Sequence, residues 1–132
     1  MSYKLASSSW GKEELKAIQR VIKSDRFSMG SEVTAFEEDF AAWHNVKYGV
    51  MVNSGSSANL ICIASLFHKN IKPLKRGDEV IVPAISWSTT YYPLQQYGLK
   101  IKFVDVEIDS FNIDVTKLED ALTPQTKLII AV

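Results

Sequence analysis

The chain has 132 residues, 46% of them apolar, and its 15 basic side chains balance its 15 acidic ones. This composition is typical of a globular protein of at most one ordinary domain, and it excludes a disordered chain and a strongly basic nucleic-acid binder. No apolar run approaches the ~20 residues that cross a bilayer, and the start lacks the apolar core of a secretion signal. We therefore expect a cytoplasmic protein that binds neither nucleic acid nor membrane.

Its single cysteine, Cys62, lies in an apolar helical run, where a buried and inert thiol is expected.

Two amphipathic helices are predicted near the start of the chain. The first follows Gly11 and Lys12, and its apolar stripe consists of Leu15, Ile18 and Ile22. Residues 25–30 interrupt the pattern. The second helix begins near Ser31 and ends at His44, and its apolar face consists of Val33, Phe36, Phe40 and Trp43.

From Tyr48 onward, apolar strands alternate with helices. The predicted strands are 48–52, 79–83, 101–106 and 127–132, and the predicted helices are 57–67, 87–97 and one capped by Asp114. Continuous apolar strands that alternate with helices are typical of a mainly parallel sheet covered by helices on both faces. The expected fold class is therefore α/β. Because the pattern stops at a strand suited to burial, we expect the chain to be the first part of a larger enzyme.

A turn of small polar residues joins the first predicted strand to its helix, with the sequence Asn53-Ser54-Gly55-Ser56-Ser57-Ala58-Asn59. The first N–H groups of a helix have no partner within the helix and carry partial positive charge. Small side chains let a phosphate approach those donors closely. The turn therefore predicts a phosphate-bearing cofactor. A serine-rich turn that only caps its helix is the alternative, and the sequence leaves it open.

Ligands of open α/β sheets bind beyond the carboxyl ends of the strands. The three segments of this kind are 54–59, 84–90 and 105–111. Trp87 is the notable side chain among them, because it follows a strand end in a run of small hydroxyl residues. A flat indole in that place predicts stacking on a flat ring. The alternative is a tryptophan that fills the core.

An ordered set of short motifs runs through the chain: Gly30, Phe36-Glu37, Ser54–Asn59, Gly77–Pro83, Gly98, Phe103–Val106, Asn112–Asp114 and Thr126-Lys127. Their order and spacing resemble the N-terminal third of the sugar aminotransferase family named for DegT, DnrJ, EryC1 and StrS. These are pyridoxal-phosphate (PLP) enzymes of fold type I, which resemble aspartate aminotransferase in architecture. The resemblance runs from about Leu5 to Val132 and implies an N-terminal arm and helix over 1–30. Residues 31–132 would then form the first, incomplete part of the large PLP-binding domain.

Three further segments resemble one branch of that family: Leu5–Ser8, Phe27–Gly30 and Ser86–Pro93. This branch removes the C3 hydroxyl from GDP-4-keto-6-deoxy-D-mannose during colitose synthesis for the O-antigen of lipopolysaccharide. The resemblance implies pyridoxal or pyridoxamine 5'-phosphate as the cofactor, a nucleotide-linked keto sugar as substrate, glutamate as amino donor and a homodimer. The implied cofactor-binding residues are Gly55, Ser56, Ser57 and Trp87. The implied substrate-binding residues are Phe27, Met29 and Gly30.

The resemblance also implies that the catalytic residues lie beyond Val132. Aminotransferases of the family use a lysine there, and the dehydratase branch has a histidine instead. The chain therefore leaves a nucleotide-sugar aminotransferase open as the alternative function, and a non-catalytic piece as a third. We expect no metal site and no activity from the 132 residues alone.

Overall fold

The computed structural model describes residues 6–132, which divide into two compact units between Met51 and Val52. The motif that starts at Leu5 therefore begins outside the described residues. Over the described part of the chain, no helix is both long and apolar enough to cross a membrane.

The first unit contains two helices, α1 (Lys12–Ser24) and α2 (Ser31–Trp43), and both confirm the predicted elements. The Gly11 N–H donates to the Glu14 carboxylate across 2.6 Å, which satisfies one of the free donors at the start of α1. Asp25 ends the helix with a φ of 52°, in the left-handed region that commonly terminates helices.

The predicted strand over residues 48–52 is wrong, because this segment is irregular. A β-strand requires a neighbouring strand for its backbone hydrogen bonds. Among residues 6–132, no strand pairs with this segment. The Met51 N–H instead donates to the Glu37 carboxylate at 2.8 Å. Tyr48 and Val50 are 73% and 74% exposed, so the apolar run is not buried here.

The second unit contains three strands and three helices. In chain order they are α3 (Gly55–His68), β1 (Glu79–Pro83), α4 (Ser88–Gln96), β2 (Lys100–Val104), α5 (Leu118–Ala121) and β3 (Thr126–Ile129). The strand predicted over 79–83 has the same bounds in the structure. The predicted last strand is shorter than expected and ends at Ile129. The helix capped by Asp114 is split, with a 3₁₀ turn (Val115–Lys117) ahead of α5.

The three strands form one parallel sheet in the order β2-β1-β3, which confirms the predicted α/β class. Alternate side chains of β1 point to opposite faces of the sheet. Val80 and Val82 pack in one cluster with Leu94 of α4 and with Ile63 of α3. Ile81 packs in the other cluster, together with buried Val104 and Ala121. Helices therefore cover both faces, and the carboxyl ends of β1 and β2 meet at one edge.

Helix α3 is less buried than its apolar composition predicts. Ile63 is its buried residue, whereas Leu60 and Ile61 are 38% and 47% exposed. Cys62 is exposed as well, so the expected buried thiol is wrong. The physical reason is that α3 packs on one side only, against α4 and the core cluster, within the part of the chain that is described.

Candidate functional site

The start of α3 is a capped helix terminus that keeps free donors. Ser54 adopts an extended conformation, and its Oγ accepts the Ser57 N–H at 3.2 Å. The Ser54 carbonyl oxygen accepts the Ala58 N–H at 3.0 Å, which is the first bond of the helix. Ser54 is thus the cap, and the N–H of Ser57 is already used by it. The turn therefore caps its helix, as the capping alternative expects, and the role of the other serines stays a prediction.

The residues directly after the cap fit a bound phosphate. Within residues 6–132, the N–H groups of Gly55 and Ser56 have no hydrogen-bond acceptor. The Ser56 side chain is exposed, and the Ser57 hydroxyl lies 3.3 Å from Ser54 Oγ. A Cβ added to Gly55 would meet no atom within 4 Å, so the space beside these donors is open. The arrangement places N–H and O–H donors at the positive end of a helix.

The start of α4 forms the second part of the candidate site. Trp87 is the residue that precedes α4, and its side chain is 76% exposed. Trp87 is therefore not packed into either core cluster of the described residues, and its role stays a prediction. The Ser86 and Thr90 hydroxyls lie 2.9 Å apart, and the Tyr91 hydroxyl donates to the Pro83 carbonyl oxygen at 2.9 Å. These bonds hold the loop between β1 and α4.

The two helix starts are adjacent in the structure. The Asn59 side-chain amide donates to the Thr89 carbonyl oxygen at 3.4 Å and joins the first turns of α3 and α4. A cavity of about 220 Å³ lies between these helices, and its lining residues are Ser56, Ser57, Leu60, Thr89, Tyr92, Pro93 and Gln96. The structure therefore brings the predicted phosphate-binding serines next to the helix that begins beside Trp87.

The sequence did not single out Thr89, Tyr92 or Gln96 as residues beside these serines. No local pattern marks them, because their proximity to Ser56 depends on how α4 packs against α3. The one available signal of this contact between α3 and α4 was Asn59, a polar residue near the start of an otherwise apolar helix.

The predicted substrate-binding residues lie together in the first unit. Phe27, Met29 and Gly30 line a cavity of about 330 Å³ between the end of α1 and the start of α2. Phe27 and Met29 are 69% and 75% exposed, and Met29 has a left-handed φ of 49°. Arg26 also lines this cavity and places a charged group beside them. Their role as substrate contacts stays a prediction.

The third strand-end segment is held by an ion-pair cluster. The Lys117 ammonium lies 3.2 Å from Asp105 and 3.4 Å from Asp114. A hydrogen bond from the Val106 N–H, followed by the bond from Lys117, lowers the pKa of Asp105 below its usual value. The carboxylates of Asp105 and Asp114 in turn raise the pKa of Lys117. One ammonium thus bridges two carboxylates, and these ion pairs hold the chain that follows β2.

Comparison with known proteins identifies relatives along nearly the whole chain. The model of the DegT/DnrJ/EryC1/StrS aminotransferase family matches residues 8–132. The GDP-4-keto-6-deoxy-D-mannose 3-dehydratase of Yersinia pseudotuberculosis is 56% identical over 132 residues, which is 100% of this chain and 34% of that protein. The chain thus spans about a third of the length of such curated relatives.

Solved structures agree with this similarity. The E. coli GDP-4-keto-6-deoxy-D-mannose-3-dehydratase with bound hydrated PLP has a TM-score of 0.92 and 55% identity, covering 98% of this chain and 33% of that one. A GDP-4-keto-6-deoxymannose-3-dehydratase with a trapped PLP-glutamate geminal diamine has a TM-score of 0.91 and 56% identity, with coverages of 98% and 34%. The expected fold type I architecture is confirmed by these neighbours.

Proposed function

Because the chain belongs to the DegT/DnrJ/EryC1/StrS aminotransferase family, we propose that it forms the N-terminal third of a GDP-4-keto-6-deoxy-D-mannose 3-dehydratase. One observation carries this proposal, namely 56% identity to such a dehydratase over every residue of the chain. The open helix terminus at Gly55 supports it independently, since it offers a place for the phosphate of PLP or pyridoxamine 5'-phosphate.

In this proposal, the start of α3 holds the cofactor phosphate. The N–H groups of Gly55 and Ser56 and the hydroxyls of Ser56 and Ser57 would donate hydrogen bonds to its oxygens. Charge-assisted bonds of this kind are stronger than neutral ones, and the helix dipole adds to them. When bound, the cofactor supplies an electron sink that lets the C3–O bond beside the sugar ketone break.

Trp87 is the proposed partner of the cofactor ring. Its exposed indole stands at the strand end, where it can cover one face of a flat ring and exclude water from that face. The hydrogen bonds of Ser86 and Tyr91 hold the loop and so limit the movement of Trp87. Phe27, Met29 and Gly30, which share a cavity of the first unit, are the proposed substrate contacts.

The remaining parts of the proposal concern the whole protein. Glutamate is the proposed amino donor, and the PLP-glutamate species trapped in a related dehydratase supports this choice. We further propose a cytoplasmic homodimer that serves colitose synthesis for the O-antigen, with residues 1–30 as an arm and helix and 31–132 as the start of the PLP-binding domain. The catalytic base lies outside these 132 residues, so the chain alone is inactive.

Product analysis tests this function. The longer protein that carries this chain is incubated with GDP-4-keto-6-deoxy-D-mannose and glutamate, and the nucleotide sugars are identified by mass spectrometry. We expect a 3-deoxy keto sugar that contains no added nitrogen. An amino sugar as the main product would contradict the proposal and support the aminotransferase alternative. The 132-residue chain alone serves as the control and should give no turnover.

A further inference from the structure

A further concave surface lies at the opposite end of α3 from the proposed phosphate site. Its volume is about 570 Å³, and its lining residues are Lys69, Lys72, Pro73, Leu74, Lys75, Asp78 and Lys127. Helix α3 has 14 residues, and at ~1.5 Å per residue the two sites are separated by about 20 Å along the helix. This surface is therefore distinct from the site at the start of α3.

The surface carries a concentration of positive charge in a chain whose formal net charge is +0. Four of its lining side chains are lysines and one is an aspartate. Over residues 6–132, none of these four lysines forms a salt bridge. The Asp78 carboxylate accepts the Lys75 N–H at 2.8 Å, and the Lys127 ammonium donates to the Pro124 carbonyl oxygen at 2.7 Å. The positive charge is thus largely uncompensated within the described chain.

The backbone that carries these lysines is fixed. Leu74 is 6% exposed, and its N–H donates to the Leu66 carbonyl oxygen at 2.9 Å, which anchors the loop to α3. The Asp78 N–H donates to the Lys75 carbonyl oxygen at 3.1 Å and closes a tight turn. Lys72 has a φ of 47°, in the left-handed region that non-glycine residues seldom adopt. Hydrogen bonds at Leu74 and Lys75 thus hold the loop that carries these lysines.

We propose that this surface binds a soluble oligophosphate, an anion with two or more linked phosphate groups. A water molecule has about 30 Å³ in the liquid, so a concavity of about 570 Å³ has room for several linked phosphates. Four ammonium groups from anchored chain segments match such a row of charges. Among residues 6–132, no aromatic side chain lines the surface, so the described lining fits phosphate better than a nucleobase. This inference is independent of the proposed dehydratase activity.

Calorimetric titration with tripolyphosphate tests the proposal. The protein that carries this chain is titrated at roughly 50 mM and 200 mM salt, and we expect saturable binding that weakens as salt rises. The Lys72→Gln/Lys75→Gln double variant should lose about tenfold or more in affinity. The matched control is Lys12→Gln/Lys16→Gln on the exposed surface of α1, which should keep its affinity within about twofold of the unmodified protein.

Three results would overturn the proposal. The first is an absence of saturable binding at the lower salt concentration. The second is an equal loss of affinity in both double variants, because such a loss reflects general electrostatic attraction and not a specific site. The third is binding to vesicles that contain anionic phospholipid without binding to free tripolyphosphate, which marks the surface as a membrane contact. Circular dichroism of both double variants checks that each remains folded.

Discussion

The Tyr91 hydroxyl donates a hydrogen bond of 2.9 Å to the carbonyl oxygen of Pro83. Pro83 ends β1 and Tyr91 lies within α4, so this bond closes the loop that carries Trp87. The Tyr91 ring also meets Phe103 of β2 edge-on, with 5.4 Å between the ring centroids. The start of α4 is thereby tied to the sheet edge at which the candidate site lies.

Replacing Tyr91 with phenylalanine should destabilise the protein while preserving its packing. The lost hydrogen bond is worth about 0.5–1.5 kcal/mol of unfolding free energy, measured by urea denaturation. Tyr92→Phe is the matched control, because Tyr92 is 56% exposed and its hydroxyl has no hydrogen-bond partner among residues 6–132. Equal stability of the two variants would contradict a structural role for the Tyr91 hydroxyl.

Removal of the Trp87 side chain should affect cofactor binding more than stability. Because Trp87 is 76% exposed, Trp87→Ala should change the unfolding free energy of the cofactor-free protein by less than about 0.5 kcal/mol. Its affinity for PLP should fall by about 1–2 kcal/mol through lost stacking. Trp87→Phe, which keeps a flat ring, should lose much less. A large loss of stability with unchanged PLP affinity would contradict the stacking role.

Gly55→Ala should weaken PLP binding without destabilising the fold, whereas Gly98→Ala should destabilise the fold. In Gly55→Ala the new Cβ meets no protein atom, so stability should be retained while PLP affinity falls about tenfold or more, because the methyl group fills the phosphate space. In Gly98→Ala the φ of 72° is unfavourable for alanine, and its Cβ would lie 2.7 Å from the Arg76 guanidinium carbon. That variant should lose about 1 kcal/mol of stability. Unchanged PLP affinity in Gly55→Ala would contradict the phosphate site.

Glu79 should make stability depend on acidic pH. Hydrogen bonds from the hydroxyl of Thr126, at 2.6 Å, and then of Thr123, at 2.9 Å, lower the pKa of Glu79 below its ordinary value of 4.5. A carboxylate with a lowered folded-state pKa stabilises the fold above the unfolded-state pKa, and this contribution is lost as pH falls through the folded-state value. The bonds join the starts of β1 and β3, so their loss weakens that strand pair.

Urea denaturation over a pH series measures this effect. The unmodified protein should lose stability as pH falls below 4.5, and Glu79→Gln should lose a smaller part of its stability over the same range. Asp109→Asn, on an exposed loop of the same unit, is the control and should follow the unmodified protein. Identical pH dependence in Glu79→Gln and the unmodified protein would contradict the role of this carboxylate.

The elements that local sequence specifies were predictable. Helix α1 begins with the predicted apolar stripe and ends at Ser24, where that pattern is interrupted. Strand β1 has its predicted bounds because its apolar run stops at Pro83. The serine-rich turn could be recognised as a helix start, although α3 begins at Gly55, two residues before its predicted bound, with Ser54 as the cap.

Features that depend on distant partners were not predictable. Residues 48–52 have a strand-like composition, yet a strand forms only beside a neighbour, which the described residues do not provide. The exposure of Cys62 follows from the packing of α3 on one side only, which its apolar composition does not reveal. The neighbours of Ser56 on α4 likewise depend on helix packing.

The central claim is that Ser56 and Ser57 hold the phosphate of the cofactor. The most direct test compares the dissociation constants of PLP and of pyridoxal, which lacks the phosphate, for the longer protein and its Ser56→Asp/Ser57→Asp variant. We expect the unmodified protein to prefer PLP by about a hundredfold or more, and the variant to lose that preference through charge repulsion at the helix start. A variant that still binds PLP as tightly as the unmodified protein, with the same preference over pyridoxal, would contradict the claim.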